Sequence, residues 1–175
     1  MAILTRRADR ARIGCTWRIL TISRKCRTCI RVWWLTILKD GCLQVAEDVV
    51  KRSLEQILHV PYHRKDSPAE LDDIYTANVD VKGRRIATAF MLKGPGIGTK
   101  EMDVKHCGTK GNQLVRLFDA PAELFVIQFT GRIAEMVVKD VEGKVAAKRD
   151  QGRRVHFLIM DGQDTARVLH AYGFL

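Results

Sequence analysis

Two β-rich segments joined by a short turn limit, more than any other feature, how this chain can fold. Residues 75–81 and 86–92 are rich in β-branched and aromatic side chains, and the Lys-Gly-Arg sequence at 82–84 is typical of a tight turn. Segments of this kind pair as antiparallel neighbours in a sheet. The sequence therefore predicts a β-hairpin.

The register of the hairpin determines which polar side chains meet at its open end. If Lys82 faces Arg85 across the turn, a residue near 73 lies opposite one near 94. Asp73 then sits beside Lys93, which ends an apolar run and precedes a Gly-Pro-Gly loop. A lysine that ends a buried strand needs a partner, because an isolated buried charge is costly.

A third strand is predicted after the glycine-rich loop at 94–98. Residues 101–107 form the next extended segment, and its first half returns beside Lys93 if it pairs antiparallel with the second strand. Asp103 and Lys105 then join the same end. Carboxylates and lysines therefore gather at one end of a predicted three-stranded meander.

Helical and strand patterns fill the rest of the chain. A helix is predicted to open at Asp40 or Gly41 and to end at Pro61, because it has one apolar face and i, i+4 ion pairs on the others. The apolar face comprises Leu43, Ala46, Val50, Leu54 and Ile57, and the pairs are Glu47 with Lys51 and Asp48 with Arg52. Beyond the meander, we predict a helix at 113–119, a strand at 124–129, a helix at 133–149, a strand at 155–160 and a last helix ending near Tyr172.

This order predicts an α/β fold with a mixed central sheet flanked by helices, in which an αβββαβ core is followed by a further helix, strand and helix. A chain of 175 residues that is 46% hydrophobic suits one globular domain. The net charge of +10 is unevenly spread, because residues 1–39 hold ten Lys/Arg against one Asp, and residues 40–175 hold 20 basic against 19 acidic residues. We therefore divide the chain into a basic N-terminal arm, residues 1–39, and a single α/β domain, residues 40–175.

Apolar runs and cysteines indicate the compartment. Arginines interrupt every apolar run near the start, and the run at 32–38 is far shorter than the roughly 20 residues that span a bilayer. We therefore expect a cytoplasmic protein with no membrane partner. The five cysteines are an odd number, which indicates thiols rather than a disulfide framework. The one CxxC, at 26–29, lacks the second pair that is typical of a zinc ribbon.

The order αβββαβ, with acidic residues and a lysine at the meander, resembles the PD-(D/E)xK nuclease superfamily, which has the restriction-endonuclease-like fold. The stretches that carry the resemblance are ELDDIYTANVDVKGRRIATAFMLKGPG, QLVRLFDAPAELFVIQ and MDGQDTARVL, which are similar to bacterial members near that superfamily. The resemblance covers about residues 42–175 and excludes the basic arm. It implies Mg²⁺-dependent hydrolysis of phosphodiester bonds in nucleic acid.

In that superfamily an Asp on one strand and an Asp or Glu on the next hold the metal, and a Lys two residues further on orients or activates the attacking water. Carried onto this sequence, the resemblance implies Asp73 and Asp103 as metal ligands. It also implies Lys93 as the catalytic lysine, with Lys105 as a supporting cation at the same catalytic site. The chain departs from the pattern at Met91, which stands where the second carboxylate is expected before Lys93.

Other residues have secondary places in this interpretation. Glu47 and Glu70 are reserve ligands, whereas Asp80 lies next to the hairpin turn, roughly 20 Å from Lys93 at the strand rise, and is set aside. A buried amide at Gln128 must be hydrogen-bonded, either at the site or to a neighbouring strand. The side chains predicted to contact nucleic-acid phosphates are Lys110, Gln113 and Arg116.

Three functional hypotheses remain open. The first is a nuclease acting on nucleic acid, with DNA as the first candidate and a homodimer left open. The second is a catalytically inactive relative that serves as a nucleic-acid-binding or assembly module. The third treats the loop at 94–98 as a phosphate cradle, but that loop lacks the Gly-Lys-Ser/Thr ending of a P-loop.

The basic arm yields the first testable prediction. It could bind phosphate backbones, lie on an anionic membrane surface or remain solvated, and charge patterning alone favours simple solvation. If it binds polyanions, deletion of residues 1–39 leaves a folded domain with weaker polyanion binding and a flatter salt dependence. Equal salt slopes for the full-length and truncated proteins would rule this out. Loss of folding would instead place Trp33, Trp34 and Ile37 in the core.

Overall fold

A computed structural model describes residues 3–4, 19–20, 38–39, 41–60, 73–108 and 111–175. In chain order the described elements are β1 (Ile3–Leu4), β2 (Ile19–Leu20), β3 (Leu38–Lys39), β4 (Cys42–Leu43), α1 (Glu47–Ile57), β5 (Ile74–Val81), β6 (Arg84–Lys93), β7 (Glu101–Met102), α2 (Asn112–Asp119), β8 (Leu124–Phe129), β9 (Arg132–Ile133), α3 (Glu135–Asp150), β10 (His156–Met160) and α4 (Gly162–Ala171). Two 3₁₀ turns, Pro95–Ile97 and Val104–His106, lie between β6 and α2. Glu70, Lys110 and nearly all of the basic arm lie outside the described residues.

The centre of the domain is a four-stranded mixed sheet in the order β10-β8-β6-β5. Strands β6, β8 and β10 are parallel, and β5 is antiparallel to β6. The predicted mixed sheet flanked by helices is therefore confirmed. None of the helices in the described ranges is long and apolar enough to cross a membrane.

Two hydrophobic cores cover the two faces of the sheet. On one face Phe125, Ile127 and Phe129 of β8 pack with α2 and α3. On the other face Leu124 and Val126 of the same strand pack with α1 and α4. Every residue of β8 is buried because successive side chains alternate between two covered faces. The continuous apolar run at 124–129 is explained by this position.

The hairpin of β5 and β6 forms as predicted, but its register differs from the expected one. Val81 pairs with Arg84, so the loop is only two residues long, and both Lys82 and Gly83 have positive φ, at 55° and 82°. A two-residue turn of this type matches the twist of the flanking strands. The prediction that Lys82 faces Arg85 is wrong, since Arg85 pairs with Asp80.

The predicted third strand is the main correction to the fold. Only Glu101 and Met102 are extended, and they pair in parallel with β9, outside the central sheet. The next residues turn into the 3₁₀ segment Val104–His106, where Asp103 caps the turn. The side-chain oxygen of Asp103 accepts from the Val104 amide at 2.7 Å, and this local bond competes with strand pairing.

The first helix begins later than predicted. Gly41 has a φ of 81° and turns the chain between β3 and β4, so Asp40 or Gly41 does not open the helix, which starts at Glu47. Of the two predicted ion pairs, Asp48 and Arg52 lie 3.2 Å apart, whereas Glu47 bonds elsewhere. Leu38 packs against the core beside α1. A truncation of the arm should therefore end before Leu38.

The segment from β4 to α1 crosses the carboxyl ends of the parallel strands. The Leu43 amide donates to the Thr130 carbonyl at 2.7 Å, and the Gly162 amide donates to the Gly131 carbonyl at 2.9 Å. A methyl group added at Gly94 would lie 2.7 Å from the Glu47 backbone nitrogen, and one added at Gly162 would collide with the Thr130 carbonyl. Glycine is required at these strand ends because backbone approaches backbone.

We expect Gly162→Ala to lower the free energy of unfolding by about 2 kcal/mol, because the new methyl group overpacks a backbone contact. Gly143→Ala is the matched control. Gly143 lies inside α3 with nothing within 4 Å of an added methyl group, so alanine should stabilise the protein by about 1 kcal/mol. Urea denaturation measures both changes. Equal effects of the two substitutions would contradict the close approach of the Gly162 backbone to the Thr130 carbonyl.

Candidate functional site

The candidate site lies where β6 ends. The parallel strands β6, β8 and β10 present their carboxyl ends at one edge of the sheet, and the antiparallel β5 begins at that same edge. Lys93 is the last residue of β6, and Asp73 immediately precedes β5. The predicted neighbourhood of Asp73 and Lys93 therefore follows from the topology of the sheet.

Asp73 holds the end of β6 through its side chain. Its backbone amide donates to the Phe90 carbonyl at 2.9 Å, and its Oδ2 accepts from the Leu92 amide at 2.6 Å. β5 starts at Ile74, so it offers no backbone carbonyl opposite the Leu92 amide of β6. The side-chain carboxylate of Asp73 accepts the hydrogen bond from this amide instead. One carboxylate oxygen of Asp73 is thus committed to the strand.

The side chain of Glu47 likewise accepts a hydrogen bond from a backbone amide, two residues further along the chain than Leu92. Its Oε2 accepts from the Gly94 amide at 3.0 Å, and the first turn of α1 packs directly on Gly94. The amides of Leu92 and Gly94 are two residues apart, which is about 7 Å along a strand. Two carboxylates from different elements therefore stand side by side at the end of β6.

The surroundings of Asp73 change its pKa. Burial raises the pKa of Asp73 above its ordinary value of 3.8, although the bond from the Leu92 amide opposes the shift. The negative charge of Glu47 raises this pKa further, and the positive charges of Lys93 and Lys51 lower it. The site thus combines two carboxylates with two lysines, one of which, Lys51, lies one turn along α1 from Glu47.

Lys93 lies between two groups of ionisable side chains. It is half-buried, and within the described residues its ammonium makes no ion pair closer than 4.0 Å. Its charge acts on Asp73 and also on Cys107, a buried thiol whose pKa is raised to about 11 by burial. Cys107 is therefore a protonated thiol at neutral pH, and the described neighbourhood of Lys93 contains no nucleophilic thiolate.

Asp103 and Lys105 occupy the 3₁₀ turn and not a strand. Asp103 caps that turn, and its charge raises the pKa of Cys107. The charges that act on Asp73 are instead those of Glu47, Lys93 and Lys51. Lys105 is exposed. The predicted roles of Asp103 as a ligand and of Lys105 as a catalytic lysine stay predictions.

Met91 takes the position of the missing carboxylate and belongs to the core. Its side chain is completely buried and packs with the residues of α2 and α3. In the part of the chain that the structure describes, no group of three or more His, Cys, Asp or Glu side chains is placed to hold a metal ion. The pair of carboxylates formed by Asp73 and Glu47 is smaller than such a group.

The remaining predicted residues lie at the start of α2 and inside β8. Gln113 and Arg116 are half-buried on α2, which packs on the face opposite α1. Gln128 is fully buried, and its Nε2 donates to the Thr165 hydroxyl of α4 at 3.0 Å. Its Oε1 and the Thr130 hydroxyl are buried without a protein partner among the described residues. Gln128 therefore joins β8 to a helix, α4, and the bond that its amide donates goes to neither of the two predicted places, the site or a neighbouring strand.

Sequence reasoning named Glu47 only as a reserve and did not single out Lys51. The i, i+4 spacing paired these two residues with each other, and nothing local indicates that Glu47 reaches an amide 47 residues away.

Comparisons of the chain with protein-family models, with curated proteins and with solved structures find no match. The functional argument therefore depends on the geometry of the site.

The raised pKa of Asp73 predicts how stability depends on pH. The folded protein holds this proton more tightly than the unfolded chain does. The stabilisation is therefore fully present below pH 3.8 and is lost as the pH rises through the raised value. Asp73→Asn mimics the neutral form and keeps an oxygen for the Leu92 amide. Without metal, we expect it to unfold at higher urea than the parent protein at about pH 7, with no difference near about pH 3.

Glu142→Gln is the matched control, since this carboxylate is exposed in the middle of α3. It should change the urea midpoint little at either pH. A destabilised Asp73→Asn protein at neutral pH would show that the bond to the Leu92 amide outweighs burial.

Proposed function

We propose that this protein hydrolyses phosphodiester bonds in nucleic acid with the help of Mg²⁺. The observation that carries the proposal is the pair of carboxylates, Asp73 and Glu47, held on the amides of Leu92 and Gly94, with the charge of Lys93 acting on Asp73. This arrangement keeps the predicted Asp and Lys and replaces the predicted Asp103 with Glu47. DNA is the first substrate to test.

The donor set suits a magnesium ion. Mg²⁺ prefers carboxylate oxygens, keeps several waters, and is commonly held by one or two carboxylates together with substrate phosphates. Asp73 Oδ2 and Glu47 Oε2 are bonded to backbone amides, which leaves Oδ1 and Oε1 as the oxygens that would hold the ion. The mutual repulsion of the two carboxylates would be offset by a cation. A bound Mg²⁺ would supply Lewis-acid polarisation of the phosphodiester.

Lys93 supplies the other chemistry. A lysine ammonium at the strand end can hold a water or a phosphate oxygen in place and neutralise charge that develops on the phosphate. The tight contact between Gly94 and α1 fixes the backbone beside it. Lys93 is the last residue of β6, so the sheet, and not a free loop, sets its position near Asp73.

The alternative is a relative that binds nucleic acid or assembles with partners and does not cleave. The observation that favours it is the burial of Met91, which removes the carboxylate that the superfamily places two residues before the lysine. Two carboxylates bind a divalent ion more weakly than three. Metal affinity and the rate of cleavage therefore distinguish the nuclease from the inactive module.

Two substitutions separate binding from catalysis. Lys93→Ala should lower Mg²⁺- or Mn²⁺-dependent cleavage of DNA or RNA by about 100-fold or more and leave the metal-dependent rise in melting temperature largely intact. Asp73→Asn should remove both, because it removes a ligand. Cleavage of labelled oligonucleotides and thermal unfolding with and without metal provide the two measurements.

Lys139→Ala is the control for loss of a lysine, since Lys139 is exposed and pairs with Glu135 at 3.2 Å in α3. Lys105→Ala tests the original prediction in the same assay, and loss of cleavage on that substitution would return Lys105 to the site. The nuclease proposal would be wrong if the folded protein cleaved neither DNA nor RNA with either metal and its melting temperature did not change with metal. The inactive module would then take its place.

A further inference from the structure

A surface rich in arginine lies at the other end of the parallel strands. Arg84 is the first residue of β6 and His156 the first of β10, while Arg153 and Arg154 occupy the loop before β10. Arg149 lies in the last turn of α3. All five side chains are exposed. We call these five residues the amino-edge patch.

Defined contacts hold the patch together. The His156 amide donates to the Glu123 carbonyl at 2.7 Å, and the Glu123 carboxylate accepts two bonds from the Arg84 guanidinium, at 2.7 Å and 3.3 Å. Arg149 Nε donates to the Val155 carbonyl at 3.0 Å. The starts of β6 and β10, which are not neighbours in the sheet, are thus joined through Glu123. The starts of two strands, the last turn of α3 and the loop between α3 and β10 bring these side chains together.

The cations outnumber the anions that face them. Arg84 is paired with Glu123, but within the described residues Arg153 and Arg154 make no ion pair. The pKa of His156 is lowered by burial first, and then by the positive charges of Arg149, Arg154 and Arg84. The positive charges of these arginines repel each other, and a bound anion would reduce the repulsion.

We propose that the amino-edge patch binds the phosphate backbone of nucleic acid as a second contact surface, separate from the candidate site at the carboxyl edge. Guanidinium groups form paired hydrogen bonds to phosphate oxygens, and several of them on one surface fit a polymer with repeated phosphates. Contacts of this kind position a protein on nucleic acid without reading its sequence. Binding here does not require cleavage at Asp73 and Lys93.

The composition of the patch favours nucleic acid over a lipid surface or a protein partner. Segments that bind membrane surfaces combine basic with apolar side chains, and protein interfaces depend on buried aromatic or apolar anchors. None of the exposed large apolar residues in the described ranges belongs to the patch. Those residues are Val49, Tyr75, Val115, Met136 and Tyr172.

The patch and the candidate site lie at opposite ends of the same strand. β6 has ten residues from Arg84 to Lys93, which separates its ends by about 30 Å at the strand rise. This distance is several Debye lengths at physiological ionic strength, so exposed charges at one end act little on the other. Removal of patch charges therefore tests the patch alone.

The test uses the full chain and a 20-base-pair duplex in the presence of EDTA, so that cleavage plays no part. Arg153→Gln/Arg154→Gln should lower the slope of log Kd against log salt by about 2, since each phosphate contact contributes about one. Arg153→Lys/Arg154→Lys keeps the charge and should keep the slope. Fluorescence anisotropy over a salt series measures the slopes, and thermal unfolding verifies that both proteins are folded.

Arg52→Gln/Lys139→Gln is the matched control, because it removes two exposed, ion-paired cations that lie outside the patch. Its slope should change by less than that of the patch variant. Equal slopes for the patch variant and this control would overturn the proposal. So would a patch variant that loses binding to phosphatidylserine vesicles or polyglutamate while its DNA slope stays unchanged. EDTA suppresses cleavage, so the salt slopes of DNA binding can be interpreted even if the protein is not a nuclease.

Discussion

The crossing of residues 42–47 over the carboxyl ends of the parallel strands is the constraint on which the site depends. Backbone bonds run from Leu43 to Thr130 and from Thr130 to Lys93, and Glu47 then closes on Gly94. A side chain larger than hydrogen at Gly94 would push α1 away from β6. The position of the Glu47 carboxylate is therefore set by backbone contacts that are independent of its charge.

The same crossing explains why Asp73 and Glu47 lie close together in spite of their charges. Each carboxylate satisfies a backbone amide that would otherwise be left unbonded at the end of β6, and an unbonded buried amide is costly. Burial raises the pKa of Asp73, the charge of Glu47 raises it further, and the charges of Lys93 and Lys51 oppose the shift. A site of this kind is held in place by hydrogen bonds to the backbone, and its charges remain available to an external ion.

Local patterns in the sequence were sufficient for most of the elements and for part of the site. The hairpin followed from its turn residues and the buried strand at 124–129 from its continuous apolar run. Asp73 and Lys93 were placed at the same end of the hairpin, although the ladder that was predicted to pair residue 73 with residue 94 is not the observed one, since Ile74 pairs with Phe90. Local patterns did not predict the hairpin register or the late start of α1. They also did not predict that only Glu101 and Met102 of the third strand are extended. These three features depend on a two-residue turn, on the contact of Leu43 with Thr130, and on the cap that Asp103 makes. Glu47 entered the site for the same reason, since its partner lies 47 residues away.

The net charge of residues 40–175 does not indicate how the charges are distributed over the domain. Residues 40–175 hold 20 basic and 19 acidic residues, and this near balance suggests a surface without strong fields. The parallel sheet separates the charges, because Arg84 and the arginines that precede β10 lie at one edge while the carboxylates of Asp73 and Glu47 lie at the other. A nearly neutral composition is thus compatible with a cationic edge and a carboxylate site about 30 Å apart. Which end of each strand a charge occupies, and not the total, determines what the two edges can bind.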